Sequence, residues 1–252
     1  MKIDFVKMHG CGNDFMIIDL RNQILEISNY KIRELADYKK SVGFDQLILI
    51  DNSDIADIGI RIFNSDGSEA SACGNGSRCV AKLVLEKFDQ KYLTIATVDR
   101  ILSASLVNDF ILINMGKAEL ISENVEFDNI LGSLVNISNP HIVVNNNSEL
   151  DILKYGPLIE NDYRFPNKVN VNFAQIINRS FIDLCTWERG VGKTLSCGTG
   201  ACATFFFFYK KGLIDKEALI RQPGGMLNIS IDKDNIFMSG EARISYEGII
   251  NV

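Results

Sequence analysis

The sequence predicts an α/β (α+β) protein made of two pseudo-symmetric copies of one unit, each a mixed, curved sheet or barrel around a central buried helix. Three observations lead there. Laying Cys73 over Cys197 sets an offset of 124 residues, close to half of the 252-residue chain. At that offset Gly74 falls on Gly198, Gly76 on Gly200, Gly116 on Gly240 and Ala118 on Ala242. The shared offset, rather than any single match, points to two copies of a long unit and not to a solenoid of short repeats. Second, β-like runs surround helical segments in each half. Third, one of those helices is apolar nearly all round, as a helix enclosed by other elements must be.

In the first copy, Phe15 to Asp19, Gln46 to Asp51, Ile58 to Phe63, Tyr92 to Ala96 and Phe110 to Asn114 are β-like, rich in Ile, Leu and aromatic residues. Lys31 to Lys39 and Gly76 to Lys87 read as helices. In the second copy, His141 to Asn145, Val169 to Ile177, Phe181 to Trp187, Leu227 to Ile231 and Asn235 to Met238 are β-like, and Gly200 to Lys211 is the helix. Its stretch Ala201 to Tyr209 is the apolar one. With a two-residue slip, Asn13 to Ile18 also matches Asn139 to Val144. The expected domains are residues 1–118 and 119–242, with 243–252 joined to the first. The boundary falls at Ala118 to Asn129, which holds four acidic residues and a change of composition.

Apolar residues make up 46% of the chain and charged residues 23%, the balance of a soluble globular protein. Net charge is −6, so no basic field is available for nucleic acid or an anionic membrane. The run Ala201 to Tyr209 is far short of the roughly 20 residues of a spanning helix. Met1 to Phe5 carries no apolar signal region, and the expected location is the cytoplasm. The six cysteines contain no Cys-x-x-Cys, and only His9 and His141 could add imidazole ligands. Neither a disulfide framework nor a zinc site is expected.

Two constellations could carry chemistry: Asn64 to Gly76 and Glu188 to Gly200. Each puts a cysteine directly before Gly-x-Gly at a helix start. The first N–H groups of a helix have no partner within it, and glycine lets the backbone approach a ligand. The result is an anion site with a thiol at its edge. That position also acts on the thiol. Moving a cysteine from about 8.5 to about 7 needs roughly 2 kcal/mol, about the upper limit of a favourable helix-dipole interaction. Burial works in the opposite direction, so the expected balance is close, with one thiolate and one thiol as a natural pair. Ordinary core cysteines are the bland alternative. Recurrence of Cys-Gly-x-Gly in both copies argues against it for Cys73 and Cys197, while Cys79 and Cys202 read as packing and Cys11 and Cys185 have no assigned task.

Gly190 to Thr194 looks like the end of a phosphate loop, but the glycine that pattern needs is Trp187 and the helix starts later, after Gly198. Gly10-Cys11-Gly12 lacks the third glycine of a dinucleotide site. His141 gains weight from Asn139-Pro140 before it, because proline stiffens the turn that presents it.

These motifs resemble the diaminopimelate epimerases, cofactor-independent enzymes of lysine and peptidoglycan precursor synthesis. The matching segments are Met8 to Phe15, Asp45-Gln46, Phe63 to Ser68, Cys73 to Cys79, Asn139 to His141, Phe165-Pro166 with Asn170-Val171, and Glu188 to Gly190 through Cys197 to Cys202. The resemblance implies two similar halves with the active site in the cleft between them, no cofactor or metal, and a homodimer. It implies conversion of LL-diaminopimelate to the meso form, one cysteine thiolate removing the α-proton and the other thiol delivering a proton to the opposite face. Cys73 and Cys197 match those positions, and His141 and Glu188 fall close to the reaction. By the same correspondence Gly74, Asn75, Gly198 and Thr199 hold the α-carboxylate. Asn64, Asn170, Glu188 and Arg189 hold the distal amino-acid end, with Asn13, Gln46 and Asn139 contributing. A planar guanidinium at Arg189 suits a carboxylate. Two departures stand out: Ser138 replaces a glycine common before Asn-Pro-His, and Lys193 stands where glutamate is usual. A sister proline or hydroxyproline racemase shares the cysteine logic but would not be expected to carry Glu188-Arg189-Gly190, and a non-catalytic amino-acid-binding or thiol-redox protein would need no opposed thiols.

Overall fold

The computed structural model describes residues 2–70, 73–108, 110–145 and 151–252, and its contacts divide the chain into two compact units. The first comprises residues 1–113 and 240–252, the second 114–239. The first holds β1 (Lys2–Gly10), β2 (Asn13–Asp19), α1 (Asn29–Ala36), β3 (Gln46–Asp51), β4 (Ile58–Asn64), β5 (Glu69–Ala70), α2 (Gly74–Lys87), β6 (Tyr92–Ala96) and β7 (Ile101–Val107). The division falls inside β8 (Phe110–Lys117). Then come β9 (Glu119–Phe127), β10 (Ile130–Asn136), β11 (Pro140–Asn145), α3 (Ile152–Glu160), β12 (Asn170–Asn178), β13 (Phe181–Glu188) and β14 (Gly192–Thr194). They are followed by α4 (Gly198–Lys210), β15 (Glu217–Gln222), β16 (Gly225–Asp232), β17 (Asn235–Gly240) and β18 (Arg243–Asn251). Segment 119–127, acidic and read as a boundary, is a strand.

The repeat is visible in the ladders. In the first unit the strands pair β18-β1-β2-β3-β4-β6-β7, and the successive pairings are antiparallel, antiparallel, parallel, antiparallel, parallel and antiparallel. In the second unit β9-β10-β11-β12-β13-β15-β16 gives the same six senses in the same order. The C-terminal strand supplies the first unit with the partner of β1 that β9 is to β10. The architecture is mixed α/β, as the sequence predicts.

Each sheet is covered on both faces, which is why its middle strands read as continuous apolar runs. Alternation along β2 and β3 sends Met16, Ile18, Leu47 and Leu49 to a core shared with Ile32 and Leu35 of α1. Ile48 and Phe15 face the other way, against Gly76 of α2. In the second unit Ile142, Val144, Val171 and Phe173 meet Ile159 of α3, and Asn172 faces Gly200 of α4. Helix α4 is buried along Ala201, Cys202, Ala203, Thr204, Phe205, Phe206 and Phe208. The sequence left α3 unread, and its Gly156 explains its fit: a Cβ there would meet the Trp187 ring at 2.6 Å. Phe208 has no exposed surface, and its replacement by alanine is expected to cost about 3–5 kcal/mol, measurable as a lowered midpoint in urea unfolding.

Candidate functional site

Both Gly-x-Gly helices begin two residues before the expected Gly76 and Gly200, at Gly74 and Gly198, and the cysteine before each caps it. Cys73 is the N-cap of α2 and accepts the Gly76 N–H at 3.3 Å; Cys197 is the N-cap of α4 and accepts the Gly200 N–H at 3.4 Å. Gly74, Asn75, Gly198 and Thr199 therefore form the first turns, where backbone donors lack helical partners. Ser71 and Ala72 of the first constellation lie outside the described residues.

Around Cys73 the strands bring the predicted side chains together in pairs. Gln46 and Asn64 are register partners, and the Gln46 amide donates to Asn64 Oδ1 at 3.0 Å. Asn75 donates to Asn13 Oδ1 at 3.0 Å, tying the helix start to the β1–β2 turn. Sequence reasoning missed what lies beneath. Arg78 is fully buried and donates to Asn75 Oδ1, to the Glu241 carbonyl and to Cys11 Sγ. Cys11 thus has a partner after all, at a turn where its φ is +53°. Cys79 is a packing cysteine, its thiol pushed up to about 12 by burial.

Around Cys197 the site is more polar. His141 is fully buried, with Nε2 at 3.0 Å from Asn139 Oδ1 and Nδ1 at 3.1 Å from the Asn172 amide. Asn172 Oδ1 accepts the Thr186 hydroxyl at 3.1 Å. With Asn139 accepting and Asn172 donating, the ring carries its proton on Nε2. Asn170 accepts the Arg189 N–H at 3.1 Å, and Arg189 Nη1 donates to the Asn167 carbonyl at 3.3 Å. The Thr194 hydroxyl donates to Glu188 Oε1 at 2.6 Å, and Glu188 also hydrogen-bonds the Cys197 thiol. Gln222, buried on β15, accepts the Cys197 N–H at 2.8 Å. Gly192 to Thr194 is a strand hairpinned to β13, so this segment is no phosphate loop.

The half-length offset could have found the missed polar residues. Asn172 and Thr186 occupy the places that Ile48 and Ile62 hold in the first copy, and with the two-residue slip His141 occupies that of Phe15. One copy thus keeps an apolar floor under its helix start where the other has a hydrogen-bonded chain. Ser138 stands at φ +68°, in the left-handed region that glycine adopts without steric cost.

The electrostatics settle the balance left close above, at one of the thiols. Burial raises the Cys197 thiol well above its usual range, and the Glu188 charge adds to it. Hydrogen bonds from Thr199 and the Gly200 N–H work the other way and lose. Glu188 itself is raised, by burial, against the hydrogen bonds from Thr194 and Cys197. His141 is pushed down to about 3 by burial, with the Arg189 charge adding. No group of three or more His, Cys, Asp or Glu side chains placed to hold a metal occurs among the described residues. Nor is any described helix long and apolar enough to cross a membrane.

The family model described as diaminopimelate epimerase matches residues 5–121 and 133–245. Among curated proteins, the chain is 38% identical to the diaminopimelate epimerase of Methanococcus maripaludis, covering 98% of this chain and 99% of that one. It is 36% identical to that of Acinetobacter baumannii, covering 100% and 98%. Among solved structures it resembles a hydroxyproline epimerase from Agrobacterium vitis with a TM-score of 0.74 at 13% identity, covering 99% of this chain and 92% of that one. That likeness is one of fold.

A neutral, buried His141 makes stability depend on pH. The folded imidazole stays unprotonated down to about pH 3, whereas an unfolded one takes a proton below about pH 6.5. Its contribution is whole above that value and is lost as pH falls, by at most about 1.4 kcal/mol per pH unit. Urea unfolding at pH 7, 6 and 5 should show a shallower loss in His141→Gln than in the wild type.

Proposed function

The chain belongs to the diaminopimelate epimerase family, and on that premise we propose that it interconverts LL- and meso-diaminopimelate with a thiol on each face of the reacting carbon. The observation that carries the reading is the paired cap: in each copy a cysteine begins the enclosed helix and its sulfur is held by the third N–H beyond it. Inversion at one carbon needs a base on one face and an acid on the other. The α-proton of an amino acid is weakly acidic, so the developing carbanion must be met by positioned donors. In this reading the first-turn N–H groups of Gly74, Asn75, Gly198 and Thr199 take the α-carboxylate, and no electron-sink cofactor or metal is called on.

Which cysteine is base depends on the direction of reaction. In one direction Cys73, as thiolate, takes the α-proton onto its sulfur, while Cys197, whose thiol is raised by burial and by Glu188, gives its own proton to the opposite face. After one turnover the thiolate lies at Cys197, and the reverse reaction or exchange with solvent resets the pair. Glu188, bonded to the Cys197 thiol, is the group that exchanges its proton; His141 serves as a neutral imidazole that fixes Asn139. At the distal end the guanidinium of Arg189 binds the carboxylate, with Glu188, Asn64 and Asn170 completing the polar surround and Asn13, Gln46 and Asn139 contributing. A substrate lacking the distal group would leave such polar groups unpaired, which disfavours it. We assign the enzyme to lysine and peptidoglycan precursor synthesis in the cytoplasm, as a homodimer.

Purified protein incubated in D2O with LL-diaminopimelate, and separately with L-proline, tests the reading without added pyridoxal phosphate. Deuterium is expected at the α-carbon of diaminopimelate and not of proline. Absence of exchange with diaminopimelate defeats it, and exchange with proline moves the assignment to the racemases. Cys73→Ala and Cys197→Ala should each lower epimerisation by at least about a thousandfold, the upper part of the range for loss of a general acid or base, with unchanged circular dichroism.

A further inference from the structure

Glu160 is a buried carboxylate that no step above uses. It is the last residue of α3, where the negative end of the helix dipole opposes a negative side chain, and only 4% of it is exposed. Three donors hold it there. Oε2 accepts the Trp187 indole N–H at 2.7 Å, and Oε1 accepts the Gly190 N–H at 2.7 Å and the Lys168 ammonium at 3.1 Å. Together these outweigh the burial that works to raise it, and its carboxyl lies below the usual range.

The two residues between the clamped positions are Glu188 and Arg189. They leave β13 and enter a short hairpin, since Glu188 pairs with Gly192 and the Val191 N–H returns to the Glu188 carbonyl. Within the turn Glu188 is held by Thr194 and Arg189 by Asn170 and Asn167, while Arg189 and Gly190 are exposed. Glu160 adds a grip at each of its two ends, Trp187 and Gly190. Lys168 adds a third point, at φ +59° in the 166–168 segment whose Asn167 carbonyl receives the Arg189 guanidinium.

We propose that Glu160 is a positioning residue for substrate selection: it clamps Trp187 and Gly190 so that Glu188 and Arg189 meet the distal amino-acid group. The inference rests on the epimerase reading for the identity of that group. The clamp itself does not, and the chain contains one tryptophan, Trp187, whose fluorescence reports it directly.

The test uses Glu160→Gln in the full chain. The amide keeps the size of the carboxylate but turns an N–H₂ towards one of the two N–H donors, so one grip is lost. Two readouts are taken: the emission spectrum of Trp187, and kcat/KM for diaminopimelate relative to 2-aminopimelate, which lacks the distal amino group. The expected result is a shifted emission and a fall of at least about tenfold in that ratio, the loss of one charge-assisted hydrogen bond. A purely structural role would lower the melting temperature and both rates alike, leaving the ratio unchanged, and that result overturns the proposal. Glu160→Asp, which keeps the charge on a shorter arm, is expected to fold and to give an intermediate ratio, and serves if the glutamine variant does not fold; an unchanged ratio there overturns the proposal equally. If the wild type exchanges neither compound, the epimerase reading fails while the clamp is judged on emission alone. An E160Q spectrum identical to the wild type then overturns the clamp.

Discussion

Each of the two enclosed helices begins at a cysteine, and the sulfur of that cysteine takes the hydrogen bond of the N–H three residues on. This cap constrains much of what surrounds it. It fixes the sulfur at the one end of the helix where backbone donors point outward without partners. It leaves no room for a bulky residue in the next turn: a Cβ on Gly76 would lie 2.7 Å from Ile48, and one on Gly200 2.3 Å from Asn172. The glycines of Cys-Gly-x-Gly therefore serve close packing of helix on sheet at their second position. The doubly covered sheet below is what holds the helix start still.

The two caps sit in unlike surroundings although the ladders around them repeat sense for sense. Under α4 the floor is polar and fully hydrogen-bonded, from Asn139 through His141 and Asn172 to Thr186. Buried polar chains of this kind specify one arrangement, because each unmade bond would cost the full desolvation of its group. Under α2 the same places are Phe15, Ile48 and Ile62, all buried. There the polar connections run instead through Arg78, whose guanidinium links the helix to the β1–β2 turn and to the residue 241 carbonyl. A duplicated backbone has been given two different electrostatic interiors. Glu160 and Glu188 show the same principle on a smaller scale: two carboxylates in one unit, one lowered by three donors and the other raised by burial.

Much of this was legible beforehand. Tyr92–Ala96 and Gln46–Asp51 have the bounds read from their apolar runs, because short buried strands between polar breaks leave a plain signature. Strands β1, β5, β7, β9, β10, β14, β15 and β18 went unread: β5 and β14 are only two and three residues long, β9 and β18 alternate poorly and are largely exposed, and β1 owes its place to pairing on both edges. Helix α3 contains Pro157 and a glycine, both weak helix formers, and is held by packing against Trp187 and the apolar side of β11 and β12.

The sequence by itself determined the duplication, the mixed α/β class, the enclosed helix and the two thiols at helix starts, because periodicity, glycine spacing and repeat offset are local properties of a chain. It also carried the family resemblance. The tertiary structure alone decided the state of Cys197, the tautomer of His141 and the roles of Arg78 and Glu160. Those follow from burial and from partners distant in sequence, as when Glu160 meets Trp187 and Gly190 across 27 and 30 residues. A charge is stabilised or expelled by what surrounds it in space, and no local pattern records that.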